Sequence, residues 1–425
     1  MLSRASFAQR VLRTSMSPAG AMRSASAWSN VKAGPPDPIL GVTEAFKADK
    51  DPKKINLGVG AYRDENGKPF VLPSVREVDE RIVAEKRDKE YLPITGFPEF
   101  TKAAATLAYG KDSKPLQEGR IAVTQSISGT GALRIAGAFF ARHYPHSKEI
   151  YLPSPTWGNH IPIMKDSGLE VKQYSYYDKK TVGLDFEGLK RDMKAAPNKS
   201  IFLLHACAHN PTGIDPTQEQ WKEISDIVKE KEHFPLFDSA YQGFATGSVD
   251  RDAFAPRYFI EQGHQIALCQ SFAKNMGLYG ERIGAFSVVC ESPEEKARVD
   301  SQIKILVRPL YSNPPVHGAR IAGTILTDEK LYQQWLGEVK QMADRIIGMR
   351  TTLYDLLQEL GSKKEWGHIK SQIGMFCYTG LTPEQVQQLT EKHHVYLTKD
   401  GRISMAGVTP HNVKHLAESI HAVTK

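Results

Sequence analysis

From about Leu72 to Val289 the chain alternates short apolar runs with helical sequence, and this rhythm restricts the fold more than any other feature. IAVTQ leads through SISGT into the helical GALRIAGAFFARHY, and EIYLP leads into SPTWGNHIPIMKDSG. SIFLLHAC precedes the amphipathic PTQEQWKEISDIVKEK, and FPLFD, QIALCQ and IGAFSVVC complete the set. Strands alternating with helices predict an α/β fold, a mostly parallel sheet with helices on both faces. Such sheets keep their ligands at the carboxyl ends of the strands. The residues that follow each apolar run are therefore the ones to weigh.

The flanks read differently. Helical sequence runs from Glu294 to about Val307, then comes a loop, RPLYSNPPVHGAR. The proline-free periodic run from about Asp328 to Leu360 predicts one long helix between domains. From about Trp366 onward, short strands (MFCYTG, VYLTKD, RISMAG) and helices starting at Pro383 and Pro410 predict a small α+β domain. Near the other end, INLGVGAYRDENGKPF reads as a strand, a glycine turn and a hairpin around Asn66-Gly67. That segment is expected to complete the small domain, making it discontinuous. The expected division is 25–38 as an N-terminal arm, extended from Gly34 to Pro38, 39–70 and 341–425 as the two parts of the small domain, and 71–340 as the large domain.

The first residues stand apart in composition. Arg4, Arg10, Arg13 and Arg23 occur with serines and alanines, and no acidic residue precedes Asp37. On a helix, Leu2, Phe7, Val11 and Leu12 share a face, the pattern of a mitochondrial transit peptide, here 1–24. A disordered basic tail would have a similar composition. Those four arginines supply more than half of the formal net charge of +7, so the remainder gives no footprint for nucleic acid. The expected location is the mitochondrial matrix. No run of 18 apolar residues occurs, so no transmembrane segment is expected. Cys207, Cys269, Cys290 and Cys377 lie far apart without a Cys-x-x-Cys pair, as reduced buried thiols would.

Among the strand ends, QIALCQ runs into Ser271-Phe-Ala-Lys274 and then Gly277, Gly280, Arg282 and Gly284. A lysine at a strand end, partly desolvated, can lose its proton and attack a carbonyl carbon. Ser271 and Arg282 bracket it with donors suited to phosphate. That combination fits a lysine holding pyridoxal phosphate as a Schiff base. Two other signatures fail: the Ser-x-x-Lys of penicillin-binding proteins lacks its Ser-Asp-Asn and Lys-Thr-Gly partners, and no Gly-x-x-x-x-Gly-Lys-Ser/Thr occurs.

Four further strand ends carry chemistry. Ser128-Gly129-Thr130 opens a helix, either as an anion-binding turn or as an ordinary N-cap. Trp157 can stack on a planar ring or belong to the core. The Asn210 amide, in Asn-Pro-Thr-Gly, can donate to a phenolate oxygen. Asp238 ends FPLFD with Tyr241 three residues on; a buried carboxylate needs a cation, and a pyridinium nitrogen is one. His205, Cys207 and His209 alternate and raise a metal site, but no paired ligand motif accompanies them, so none is expected. His205 and His160 instead suit a role in orienting Asp238.

Taken together, SFAKNMGLYGERIG, SGTGALR, PTWGNH, HNPTG, DSAYQGF, VRPLYSNPP and GRISMAG resemble the class I pyridoxal-phosphate-dependent aminotransferases, and within them the members acting on aspartate. The likeness runs from about Pro35 to the C-terminus. It implies fold type I, a homodimer with shared active sites, and reversible amino transfer between L-aspartate and 2-oxoglutarate by a ping-pong mechanism. Lys274 is then the cofactor lysine and proton shuttle, and Asp238 pairs with the pyridine nitrogen. Tyr241 and Asn210 bond the ring oxygen, and Trp157 stacks on the ring. Ser128, Gly129, Thr130, Ser271 and Arg282 hold the phosphate, with Tyr91 from the other subunit. Arg402, near Gly60, takes the substrate α-carboxylate, and Arg308 of the other subunit takes the side-chain carboxylate. A relative specific for aromatic amino acids or kynurenine would keep the lysine and the α-carboxylate clamp. Fatty-acid or membrane-surface binding is a non-enzymatic alternative that no motif supports.

Overall fold

The structure is a computed structural model that describes residues 26–34 and 38–425. Residues 26–34 form an exposed turn, with the Val31 N–H donating to the Trp28 carbonyl at 3.0 Å. The presequence, and residues 25 and 35–37 of the arm, lie outside the described residues. Residues from Pro38 onward make a second, separate unit.

That unit is built on a seven-stranded sheet. In chain order its strands are β1 (Ile121–Ile127), β2 (Glu149–Ser154), β3 (Glu170–Ser175), β4 (Ile201–His205), β5 (Phe234–Ser239), β6 (Ala267–Ser271) and β7 (Ile283–Val289). In space the order is β1-β7-β6-β5-β4-β2-β3. The run β6-β5-β4-β2-β3 is parallel, and β7 alone is antiparallel, to β1 and β6. The mostly parallel expectation holds, and helices such as Ser128–His143 and Gln218–Glu230 supply the crossovers.

Burial on both faces explains the apolar runs. Along β4, Phe202 and Leu204 enter a core with Trp221, Phe237 and Phe259, while Ile201 and Leu203 enter another with Leu133, Phe140 and Phe286. A strand buried on both sides has no polar alternation, which is what SIFLLHAC displays. β3 departs from this pattern and the sequence reading missed it. EVKQYS lies at the sheet edge, and its Lys172 pairs with Glu149 at 3.5 Å and with Glu170 at 2.5 Å. Charges at an edge discourage pairing with another chain, and they also erase the apolar signal.

Register brings the strand ends to one side. His205 lies opposite Asp238, and Asp238 opposite Cys269. Gly284, near the start of β7, lies between Ser271 of β6 and Ser126 of β1. A Cβ on Gly284 would stand 2.5 Å from the Gln270 carbonyl oxygen and 2.6 Å from the Ser128 carbonyl carbon, so only glycine lets these backbones meet.

Beyond the sheet, one helix runs Pro293–Tyr311, past the end expected near Val307. Pro309 sits in its last turn, where it removes a single backbone bond, and Ser312, at φ +67°, ends it. Arg308 is therefore on a helix and not in a loop. The helix His317–Thr327 likewise takes up the tail of that loop. The long helix spans Glu329–Glu359, 31 residues, with the Asp328 carboxylate accepting from the Leu331 N–H. In the C-terminal part, the helix expected at Pro410 starts later, at Val413. Ile55–Asn56 pairs in parallel with Val395–Tyr396, and the Ser404 N–H donates to the Leu57 carbonyl at 2.7 Å. All four cysteines are free and buried.

Candidate active site

A cavity of about 260 Å³ opens where the strand ends converge. It is lined by Gly60, Ser128, Gly129, Thr130, Trp157, His205, Asn210, Asp238, Tyr241, Ser271, Lys274, Arg282 and Arg402, together with Leu133, Ala240, Ala273, Tyr279 and Phe376. Residues 342 positions apart in the chain, Gly60 and Arg402, thus share one wall.

Lys274 follows the end of β6 and is partly buried, its Nζ 5.0 Å from the centroid of the Tyr241 ring. Burial lowers its pKa below the ordinary lysine value; Asp238 opposes the shift and Arg282 adds to it. A cation at this depth is disfavoured, so the amine is more readily freed for chemistry.

Asp238 ends β5 and is buried. Burial pushes its pKa up, but the His160 hydrogen bond, with the charges of His160 and Lys274, outweighs it, and the carboxyl sits below its ordinary range. His160 Nε2 donates to Asp238 Oδ2 at 3.0 Å, and His160 Nδ1 lies 2.7 Å from the Thr156 hydroxyl. That hydroxyl lies 3.4 Å from His205 Nε2. Burial, with help from His160, pushes His205 down to about 3, so its ring is neutral at ordinary pH. The three side chains form a polar row behind the carboxylate, which leaves the other face of Asp238 to the cavity.

The anion-binding and N-cap readings of Ser128 are separated by geometry. The helix Ser128–His143 opens without any side-chain cap, so its first N–H groups are not answered by a serine or threonine hydroxyl. Ser128 Oγ instead lies 3.2 Å from Ser271 Oγ, and the Ser128 N–H donates to the Arg282 carbonyl at 3.0 Å. A Cβ at Gly129 would come within 3.1 Å of the Ser271 Cβ. Two hydroxyls, a guanidinium and a helix N-terminus converge here, the donor set of a phosphate site.

Arg402 is buried on the far wall, its guanidinium 4.2 Å from the centroid of the Phe376 ring. Its Nη2 donates to the Gly58 carbonyl at 3.1 Å and its Nη1 to Asn210 Oδ1 at 3.5 Å, but its buried Nε has no partner. No carboxylate pairs with it among the described residues, and burial lowers its pKa. Such a cation is poised for an incoming carboxylate.

Trp157 stands edge-on to His160, with ring centroids 5.3 Å apart. Tyr241 is buried, which raises its pKa, while Arg402 opposes the shift. Tyr91 and Arg308 are not in this cavity: Tyr91 is 82% exposed, and exposed Arg308 donates from Nη1 to Ser312 Oγ at 2.8 Å. The metal reading loses its premise, because β4 ends at His205 and the chain bends through 206–208. His209 stacks on Tyr176 at 3.9 Å and its Nδ1 meets the Thr212 hydroxyl at 2.7 Å. Sequence reasoning missed Phe376 and Tyr279. Tyr279 lies inside the lysine motif, whereas nothing in MFCYTG marks Phe376.

The model of the family described as aminotransferase class I and II matches residues 52–420. The chain is 58% identical over 407 residues to "Aspartate aminotransferase, mitochondrial" of Gallus gallus, covering 96% of each chain. It is 59% identical over 398 residues to the protein of that name from Dictyostelium discoideum, covering 94% of this chain and 93% of the other. Among solved structures, the cytoplasmic aspartate aminotransferase of Saccharomyces cerevisiae superposes with a TM-score of 0.91 at 44% identity, over 94% of this chain and 99% of that one. An aromatic-amino-acid aminotransferase from Burkholderia pseudomallei, covalently bound to pyridoxal phosphate, superposes with a TM-score of 0.92 at 39% identity, over 94% of this chain and 100% of that one. With the lysine, the carboxylate and the anion turn assembled at one cavity, and with a family model spanning most of its length, the chain belongs to the class I and II aminotransferases.

Proposed function

We propose that this enzyme interconverts L-aspartate and 2-oxoglutarate with oxaloacetate and L-glutamate by a ping-pong mechanism that uses pyridoxal phosphate. The observation that carries the reading is the pairing, in one cavity, of a desolvated lysine with a buried guanidinium that lacks a carboxylate. The Gallus and Dictyostelium relatives, at 58% and 59% identity, favour aspartate over the aromatic substrates named for structures at 39%.

The residues fit the cofactor. Ser128, Gly129, Thr130, Ser271 and Arg282 would hold its phosphate, Asp238 its ring nitrogen, Asn210 and Tyr241 its ring oxygen, and Trp157 its face. Once bound, pyridoxal phosphate supplies an electron sink for charge developing at the substrate Cα. Lys274 would hold the cofactor, and its freed Nζ would take the proton from the substrate Cα and carry it for the second half of the transfer. His160 keeps Asp238 ionised and oriented, and neutral His205 adds no competing charge. Arg402 clamps the α-carboxylate in a planar two-bond fork, turning the Cα–H bond toward the lysine.

The finer assignments belong to the same proposal. The enzyme is a homodimer, in which Tyr91 and Arg308 serve the second subunit's cavity, Arg308 taking the side-chain carboxylate. Residues 39–70 and 341–425 form the small domain and 71–340 the large one, and the protein works in the mitochondrial matrix after loss of 1–24. Arg402→Ala should raise KM for both aspartate and 2-oxoglutarate by on the order of 100-fold, the cost of leaving a charged partner unpaired. Unchanged KM values would remove Arg402 from the substrate site.

A further inference from the structure

A second arginine is buried more deeply than Arg402 and also has no carboxylate partner among the described residues. Arg350, on the long helix Glu329–Glu359, is 2% exposed. Its Nη1 donates to the Ile369 carbonyl at 3.0 Å, and its Nη2 to the carbonyls of Gly374, at 2.9 Å, and Phe376. Beyond those carbonyls its charge meets the side chains of Cys377 and His368, and its buried Nε has no partner among the described residues. A cation is a costly way to cap carbonyl groups, since it must shed its own water first. The planar fork accounts for the choice, because three oxygens spread along one segment, from the short helix Gly367–Ser371 to the strand Phe376–Tyr378, are held in one fixed arrangement.

That segment leads to the substrate wall. The Ile373 N–H donates to the Gly213 carbonyl at 2.7 Å, tying it to the loop that carries Asn210. Phe376 then pairs with Ser404, and Tyr378 with Arg402, in a two-stranded sheet. The Phe376 ring lies 4.2 Å beneath the Arg402 guanidinium and stands edge-on to Tyr241, with centroids 6.3 Å apart. A Cβ at Gly60 would meet Phe376 Cζ at 3.0 Å. The ring is therefore wedged, and its place is set from the backbone that Arg350 grips.

We propose that Arg350 is a positioning residue for the α-carboxylate site, acting through Phe376 to fix the plane of the Arg402 guanidinium. The inference rests on the reading of Arg402 given above. A guanidinium free to tilt would still attract a carboxylate but would lose one bond of the fork. Affinity for every ligand with an α-carboxylate then falls by one common factor, whatever its side chain.

The test is Arg350→Lys in the cofactor-loaded enzyme, assayed with L-aspartate and with L-2-aminobutyrate, whose side chain is uncharged. KM should rise about tenfold for both, the worth of one charge-assisted hydrogen bond, with kcat for aspartate changed by less than about threefold. Cofactor content and absorbance should match the parent. Arg402→Lys serves as the reference. If it leaves KM unchanged, the α-carboxylate assignment has failed and the relay falls with it. If it raises KM while folded, cofactor-loaded Arg350→Lys does not, the relay alone has failed. Loss of cofactor or of kcat at an unchanged KM would reduce Arg350 to a structural post. Should Arg350→Lys not fold, Phe376→Leu leaves the carbonyls capped and removes the ring; it should give the same common rise, and parental KM values would overturn the inference.

Discussion

Lys274 shows how burial becomes reactivity. Its depressed pKa means that the folded chain holds this proton less tightly than the unfolded chain does. The unfolded state therefore binds more protons between the folded value and the ordinary value of about 10.4, and stability rises with pH across that window. In cofactor-free protein, Lys274→Met should raise the thermal midpoint near pH 7, and the gain should shrink as pH approaches about 10. A gain that grows with pH would reverse the sign. The same substitution should cut turnover by on the order of 10⁴-fold or more, since both the proposed attachment point and the proposed proton shuttle are lost. These two effects pull in opposite directions, as expected where a fold stores an unfavourable charge for use in chemistry.

At the scale of elements, β6, β7 and the helix Ser128–His143 cross closely at Gly284. Gly284→Ala would push a methyl into the Gln270 oxygen and the Ser128 backbone, costing about 1–3 kcal/mol and spreading the proposed phosphate turn. A lower unfolding midpoint together with faster cofactor loss on dialysis would check this. The long helix contributes a second support: fully buried Trp335 donates from Nε1 to the Asn275 carbonyl at 2.8 Å, one residue beyond Lys274. Trp335→Ala should cost about 3–5 kcal/mol in denaturant unfolding.

Legibility in the sequence follows the same physics. Strands buried on both faces, such as Ile201–His205, advertise themselves as apolar runs, whereas Glu170–Ser175 is polar because it is an edge. Asp238, Asn210 and Lys274 were legible because polar groups directly after apolar strands need a reason to be there. Arg308 and Arg402 were not, since an arginine has no local signature; only the family resemblance picked them out. Phe376 was invisible because its place depends on pairing with Arg402–Ser404 and on the grip of Arg350, neither of which is written in neighbouring residues.

For the whole molecule, the exposure of Arg308 and Tyr91 in a single chain is the feature that the proposed dimer explains. It makes a direct prediction. Lys274→Ala and Arg308→Ala homodimers should each be nearly inactive on dicarboxylates, but mixed dimers formed by co-refolding should regain activity. Each mixed dimer has one cavity with an intact lysine from one chain and an intact arginine from the other. No recovery would mean that both residues serve the same chain's cavity. Arg308→Ala should also damage aspartate turnover far more than turnover of an aromatic amino acid, and equal losses would undo its assignment to the side-chain carboxylate.

Absorbance reads the aspartate half-reaction directly. Adding L-aspartate, without any keto acid, to the purified enzyme loaded with pyridoxal phosphate should convert the cofactor's spectrum to that of the pyridoxamine form, and 2-oxoglutarate should then restore it. A cofactor spectrum that aspartate leaves untouched and an aromatic amino acid discharges would contradict the substrate assignment, and a protein that binds no pyridoxal phosphate would contradict the reading of Lys274 itself.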